Sequence, residues 1–149
     1  MTGEVIPFDS FPAAHRVAEL FAAARSVQMR AYAPYSHFPV GAAILSPSGV
    51  IHVGCNVENA AYPVGSCAEA GAIAAMVAAG DTRIDVLLTI CDSHEVGTCC
   101  GGCRQRVREF ASLDVPIYAA GPDGVRAIFT MESLLPTSFG PDNLRGFVS

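Results

Sequence analysis

Two short stretches constrain this chain more than anything else in it: Ser66-Cys67-Ala68-Glu69, and Thr98-Cys99-Cys100-Gly101-Gly102-Cys103-Arg104-Gln105. The C-x-x-C spacing of Cys100 and Cys103 lets a turn running into a helix aim two sulfurs at one point, as a tetrahedral zinc ion requires. A third thiol from Cys67 leaves the fourth position open. An open position marks a catalytic metal site, where bound water loses a proton near neutral pH, and a closed fourfold site marks a structural one. Glu69, two residues past Cys67, is the candidate proton carrier.

Each piece has an ordinary explanation when taken alone. Ser66-x-x-Glu69 is also the pattern of a capping box at a helix start. Cys100 and Cys103 could be a redox pair, or half of a structural zinc site. The combination separates these readings: C-x-E at one helix N-terminus and C-x-x-C at the next, with a strand between. Such a chain has to bring both helix N-termini to one place, where their free N–H groups and dipoles favour thiolate over thiol.

The rest of the sequence narrows the class. At 149 residues the chain is long enough for one domain with a core, and residues 1–149 read as a single domain. Hydrophobic residues make up 51%, which predicts apolar surface covered between subunits. The net charge is −5, with nine arginines, no lysine and no basic run, which argues against a nucleic-acid partner and for a small diffusing substrate. No apolar run is long enough to span a bilayer, and Met1 to Asp9 lacks the pattern of a secretion signal, so a cytoplasmic protein with no membrane partner is expected. Six cysteines in that setting read as metal ligands and free thiols rather than disulfides.

A first helix is expected from near Ser10, with Pro12 in its first turn and Val17, Leu20, Phe21 and Ala24 facing inward. His15, Arg16, Glu19 and Arg25 fall on its surface face. A loop, Ala33 to Pro39, leads to a hairpin whose strands are Val40 to Ile44 and Val50 to Cys55. A second helix runs from Cys67 to Ala79 and stops at Gly80, with Glu69 as its sole charge. A carboxylate in so apolar a helix is costly unless something there uses it. Strands over Val86 to Cys91, Val115 to Ala119 and Val125 to Thr130, and a helix from Gly102 to Ala111, complete the pattern. The order predicts an α/β fold: a three-layer α/β/α sandwich around a mixed five-stranded sheet.

Five ordered motifs then make the chain resemble the cytidine deaminases of the small, homotetrameric, three-cysteine type. They are Tyr35-Ser36-x-Phe38-x-Val40-Gly41-Ala42-Ala43, Asn56-Val57-Glu58-Asn59-Ala60, Cys67-Ala68-Glu69, Cys100-Gly101-Gly102-Cys103-Arg104-Gln105 and Leu134-Leu135-Pro136-x-x-Phe139-Gly140. The resemblance implies Zn²⁺ held by Cys67, Cys100 and Cys103, with Glu69 as acid and base in hydrolysis of cytidine and 2′-deoxycytidine to the uridines. It gives the ribose hydroxyls to Asn56 and Glu58, and an aromatic place beside the base to Phe38. The backbone N–H of Ala68 would hold the pyrimidine O2, and backbone at Thr98 the amino group. Phe139 would come across a subunit boundary, so the expected assembly is a homotetramer with shared active sites acting on a small-molecule nucleoside. Deaminases of the antibiotic blasticidin S share the zinc motifs, but Asn56-Val57-Glu58-Asn59 favours a nucleoside.

Two positions depart from that family's pattern. Many three-cysteine relatives carry Arg directly after the catalytic Glu, where its charge offsets the thiolates; here Ala70 stands there. Helix dipoles or another cation, such as Arg104, would have to compensate. Cys99 stands where the family has Pro, which reads as a spare thiol, with Cys55 and Cys91 as buried hydrophobes. The four histidines have no ligand role, His94 being the one nearest the C-x-x-C.

Overall fold

The computed structural model describes residue 11 and residues 13–145. The expected cap Ser10 and the helical Pro12 lie outside them. A single 3₁₀ turn, Ala14–Arg16, leads into helix α1, Val17–Gln28. Its apolar residues recur at helical spacing, so Val17, Leu20 and Ala24 are buried together with the amide of Gln28. The Arg16 guanidinium pairs with Glu19 on the surface and donates to the carbonyl of Gly49.

Five strands follow the expected order: β1 (Val40–Leu45), β2 (Ile51–Cys55), β3 (Val86–Cys91), β4 (Pro116–Gly121) and β5 (Gly124–Thr130). They form one mixed sheet in the order β2-β1-β3-β4-β5. Only β3 and β4 run parallel, because helix α3 (Gly101–Phe110) carries the chain across between them. The other pairs are antiparallel. Helix α2 (Ala68–Ala78) lies between β2 and β3 in sequence, and the short α4 (Met131–Leu134) follows β5.

The period of two along each strand sorts the core into two layers. Ala43, Leu45, Val86, Leu88, Ile90 and Tyr118 face α1. Ala42, Ile44, Leu87 and Ile117 face α2, α3 and α4. The three-layer α/β/α arrangement read from the sequence is therefore the arrangement found. Because β3 is covered on both faces, all six of its residues are buried, the polar Thr89 included.

One close approach fixes the height of α2 over the sheet. A Cβ on Gly54 of β2 would lie 2.2 Å from the Ala72 nitrogen and 2.4 Å from the Ala68 carbonyl oxygen. The absence of a side chain there lets the α2 backbone rest directly on β2. At the other end of α2, Asp81 accepts hydrogen bonds from Ser46 Oγ and Ser48 Oγ, both at 2.7 Å, and lies 3.1 Å from His52 Nε2. This ties the β1–β2 turn to the helix.

Candidate active site

The site forms where α2 and α3 begin. Cys67 is the N-cap of α2 and Cys100 the N-cap of α3, both in extended backbone conformation. Both N-caps are cysteines, and the first N–H groups of both helices point at the space between them. The capping-box alternative for Ser66 and Glu69 is thereby removed: Ser66 sits one residue too early and bonds through its backbone to Val57 in both directions at 2.9 Å. Glu69 is left in the first turn of α2 with 4% of its surface exposed.

Sequence order places Cys103 one turn into α3, and it is fully buried. The sulfurs of Cys67, Cys100 and Cys103 all lie within 4.8 Å of one another, with Cys67 and Cys100 at 3.8 Å. Sulfurs bound to one tetrahedral zinc at about 2.3 Å would stand about 3.8 Å apart, so the cluster matches the ion in size as well as chemistry. Burial pushes the Cys103 thiol up from its ordinary value, and the negative charges of Glu69, Cys67 and Cys100 push it further. The Cys67 thiol is raised too, by burial first and then by Cys100 and Glu69. Burial also opposes ionisation of Cys100, but the Cys103 backbone N–H and the two other thiols outweigh it and hold that thiol below its usual value. Three thiols and a carboxylate packed this closely repel one another as anions, and a bound dication would relieve that repulsion.

A cavity of about 440 Å³ opens in front of the cluster. Cys67, Ala68, Glu69 and Cys100 line it together with Phe38, Thr98, Asn56 and Glu58. The Asn56–Glu58 segment is pinned on both flanks, by bridges from Tyr32 and Ser66 to Val57. Glu58 Oε1 accepts from the backbone N–H groups of Tyr35 and Ser36, both at 3.0 Å. Hydrogen bonds from the Ser36 side chain and backbone hold the Glu58 carboxyl below the usual carboxylate range, so it is an anion at neutral pH. Asn56 accepts from Val40 N–H at 2.8 Å and donates to the Phe38 carbonyl at 3.0 Å, which buttresses the loop carrying Phe38. Phe139 stands apart: it is 60% exposed and does not line this cavity.

The remaining cysteines and histidines sort as follows. Cys99 is 2% exposed, and burial holds its thiol well above its ordinary value. Cys91 is buried, whereas Cys55 is only half-buried, since edge strand β2 is covered on one face. His94 is exposed and lies outside the cavity.

The arginines correct the sequence expectation. Arg104 does not turn to the sulfurs: it donates to the carbonyls of Cys99 and Leu134 and to Thr98 Oγ1, each at 2.8 Å. Its role is to fix the loop before α3 against the C-terminal segment. The guanidinium that meets the cluster is that of Arg106, whose Nη1 is 3.9 Å from Cys103 Sγ. Helical spacing was the available signal, because residues three apart share a face and adjacent ones do not. Thr89 was also missed. It lies on β3 at the cavity wall, 4% exposed, and its Oγ1 has no hydrogen-bond partner among the described residues.

Two helix N-termini converging on three sulfurs, with a buried carboxylate beside them and a cavity in front, define a metal-dependent hydrolase built on a three-layer sheet. The chain belongs to the family described as the cytidine and deoxycytidylate deaminase zinc-binding region, whose model matches residues 15–119. It is 38% identical to a cytidine deaminase of Sporosarcina psychrophila over 128 residues, covering 86% of this chain and 94% of that one. A crystal structure of cytidine deaminase from Burkholderia pseudomallei superposes with a TM-score of 0.77 at 34% identity, covering 82% of this chain and 98% of that one. The cytidine deaminase of Mycobacterium tuberculosis gives 0.71 at 35% identity over 83% of this chain and 96% of that one. The family's zinc-binding region and the Cys67, Cys100, Cys103 cluster together identify Zn²⁺ as the cofactor.

Proposed function

We propose that this chain is a zinc-dependent cytidine deaminase, adding water to cytidine and 2′-deoxycytidine and releasing ammonia to leave the uridines. The observation that carries the reading is the buried Glu69 beside three clustered thiols, with Cys67, Cys100 and Glu69 itself lining the cavity. When bound there, zinc supplies a Lewis acid and an acidified water. Glu69 would take a proton from the attacking water, deliver it to ring N3, and then carry the proton of the new C4 hydroxyl to the amino group as that group leaves as ammonia. The α2 N-terminus offers the Ala68 N–H to the pyrimidine O2, and backbone at Thr98 receives the amino group. Phe38 covers one side of the base. Glu58, an anion, accepts from a ribose hydroxyl. Asn56 keeps a second N–H on its amide for the sugar while holding the Phe38 loop.

The same reading makes residues 1–149 one deaminase domain and the working form a homotetramer, in which Phe139 enters a neighbour's site. Apolar side chains exposed at and beside the cavity mouth, Tyr62 at 74% and Val64 at 67%, support such coverage. No helix among the described residues is long and apolar enough to cross a membrane. A cytoplasmic role in pyrimidine salvage fits a small nucleoside substrate.

The test is ammonia release from cytidine, deoxycytidine, free cytosine and blasticidin S, with zinc content measured in parallel. Turnover of the two nucleosides should fall about 10²- to 10⁴-fold in Glu69→Gln while zinc stays bound. Wild-type protein that holds zinc and leaves every compound untouched would overturn the assignment, and turnover of blasticidin S alone would replace its substrate.

A further inference from the structure

Resting on the three-thiol zinc site above, we infer that Arg106 sets the charge of that site from outside the cavity, acting through the Cys103 sulfur. Three thiolates around a dication leave one net negative charge, and Glu69 adds another beside it. Ala70, the next residue of α2, brings no charge to offset them. The ionisable groups that face Cys103 are Cys67 and Glu69 from α2, Cys100 at the start of α3, and Arg106 from the body of α3. All but Arg106 are acidic.

The geometry is specific to this side chain. Arg106 sits one turn beyond Cys103 on the same face of α3, and its guanidinium folds back toward the helix start to bring Nη1 to 3.9 Å from the sulfur. Gly102 makes room for that course, since a Cβ there would stand 3.3 Å from the same nitrogen. Among the described residues Arg106 makes no ion pair with a carboxylate, whereas Arg16, Arg25, Arg83, Arg108, Arg126 and Arg145 all do. Nor does it line the cavity, so it is a positioning residue that tunes a ligand, not a catalytic one.

A hydrogen bond from a cation lowers the energy of the sulfur lone pairs and weakens their donation to the metal. Removing it should make Cys103 the better donor and the site more negative. The experiment exchanges zinc for Co²⁺ in the full-length protein and compares the parent with Arg106→Met and Arg106→Lys. Because Arg106 is exposed, neither change should impair folding. In Arg106→Met the thiolate-to-cobalt charge-transfer band should move to longer wavelength. The acidic limb of kcat/KM for the zinc enzyme should move up by about 0.5–1 pH unit, the scale for losing a partly screened charge near the site. Arg106→Lys should fall between the two. An unchanged band and an unchanged acidic limb in Arg106→Met, at equal metal content, would overturn the inference and leave the zinc reading standing. A parent protein that takes up neither metal would overturn both.

Discussion

Gly54→Ala should injure both stability and catalysis, although Gly54 does not line the cavity. The added Cβ would lie 2.2 Å from the Ala72 nitrogen, 2.4 Å from the Ala68 oxygen and 2.6 Å from the Gly71 carbonyl carbon. Ordinary contact needs about 3.5 Å, so the shortfall is roughly 1 Å. All three atoms are backbone, and no rotamer change can relieve them. The helix has to lift from β2, at a cost at or above the upper end of the usual 1–3 kcal/mol for overpacking. The lifted segment carries Cys67, Ala68 and Glu69, and a displacement of about 1 Å at reacting groups costs on the order of 10²-fold in rate. Denaturant unfolding, kcat/KM for cytidine and zinc content would be measured together. Gly80→Ala is the control: Gly80 has φ +96 just past α2 and open space around it, so substitution should cost about 1 kcal/mol through backbone strain and leave kcat/KM unchanged. Wild-type stability and kcat/KM in Gly54→Ala would refute the reasoning that this contact sets the helix height.

Asp81 gives a pH prediction. Hydrogen bonds from Ser46 first, then Ser48 and His52, hold its carboxyl below the usual range, so the native state favours the anion. A depressed native pKa contributes stability that is complete above the unfolded value near pH 4 and is lost as pH falls through the native one. Asp81→Asn should therefore lower stability at pH 7 and flatten its decline below about pH 4, as followed by urea midpoints across that range; a parallel decline in both proteins would count against it. Thr89→Val replaces a buried hydroxyl that lacks a partner among the described residues by a methyl group of the same shape, and should raise the unfolding free energy by up to about 1 kcal/mol. A lower midpoint would show that the hydroxyl is bonded in solution.

The reactive part of the site was legible because its chemistry depends on residue type and local spacing. C-x-x-C fixes two sulfurs within one turn of a helix, and C-x-E puts a carboxylate in the first turn of another, whatever the surrounding fold. The strands were legible for a similar reason: Val86 to Cys91 is apolar except for Thr89, and the hairpin at Pro47-Ser48-Gly49 is marked by turn residues. Less legible was whatever depends on where elements meet. Gly54 looks like any glycine in a strand until α2 is laid across it. Asn56 reads as a sugar ligand or a turn residue, and only the folded loop shows its amide bracing the backbone from Phe38 to Val40. Arg104 and Arg106 stand two positions apart in Arg104-Gln105-Arg106-Val107-Arg108, yet helix phase sends one to a carbonyl cage and the other to a sulfur.

That division of labour along α3 links the metal centre to the C-terminal segment. At one end of the helix, Cys100 and Cys103 bring their sulfurs to that of Cys67, and Arg106 stands against the Cys103 sulfur. On another side, Arg104 donates to the Leu134 carbonyl, Gln105 to the Phe139 carbonyl at 2.9 Å, and Arg108 to Ser138 Oγ at 3.0 Å. Gly140 completes the seat, since a Cβ there would meet the Arg108 guanidinium at 2.5 Å. The helix that holds two of the three thiols thus also fixes the backbone of residues 134–140, from which Phe139 projects with 60% of its surface exposed. An aromatic side chain held out on a braced backbone loses little further backbone entropy on being covered, which makes it an inexpensive anchor for a second subunit. In the proposed homotetramer, loosening that brace with Gln105→Ala should therefore weaken subunit association more than it weakens zinc binding, because Gln105 donates to the Phe139 carbonyl of the segment. Sedimentation velocity alongside zinc content separates the two effects, and equal losses in both would show that α3 responds as one unit.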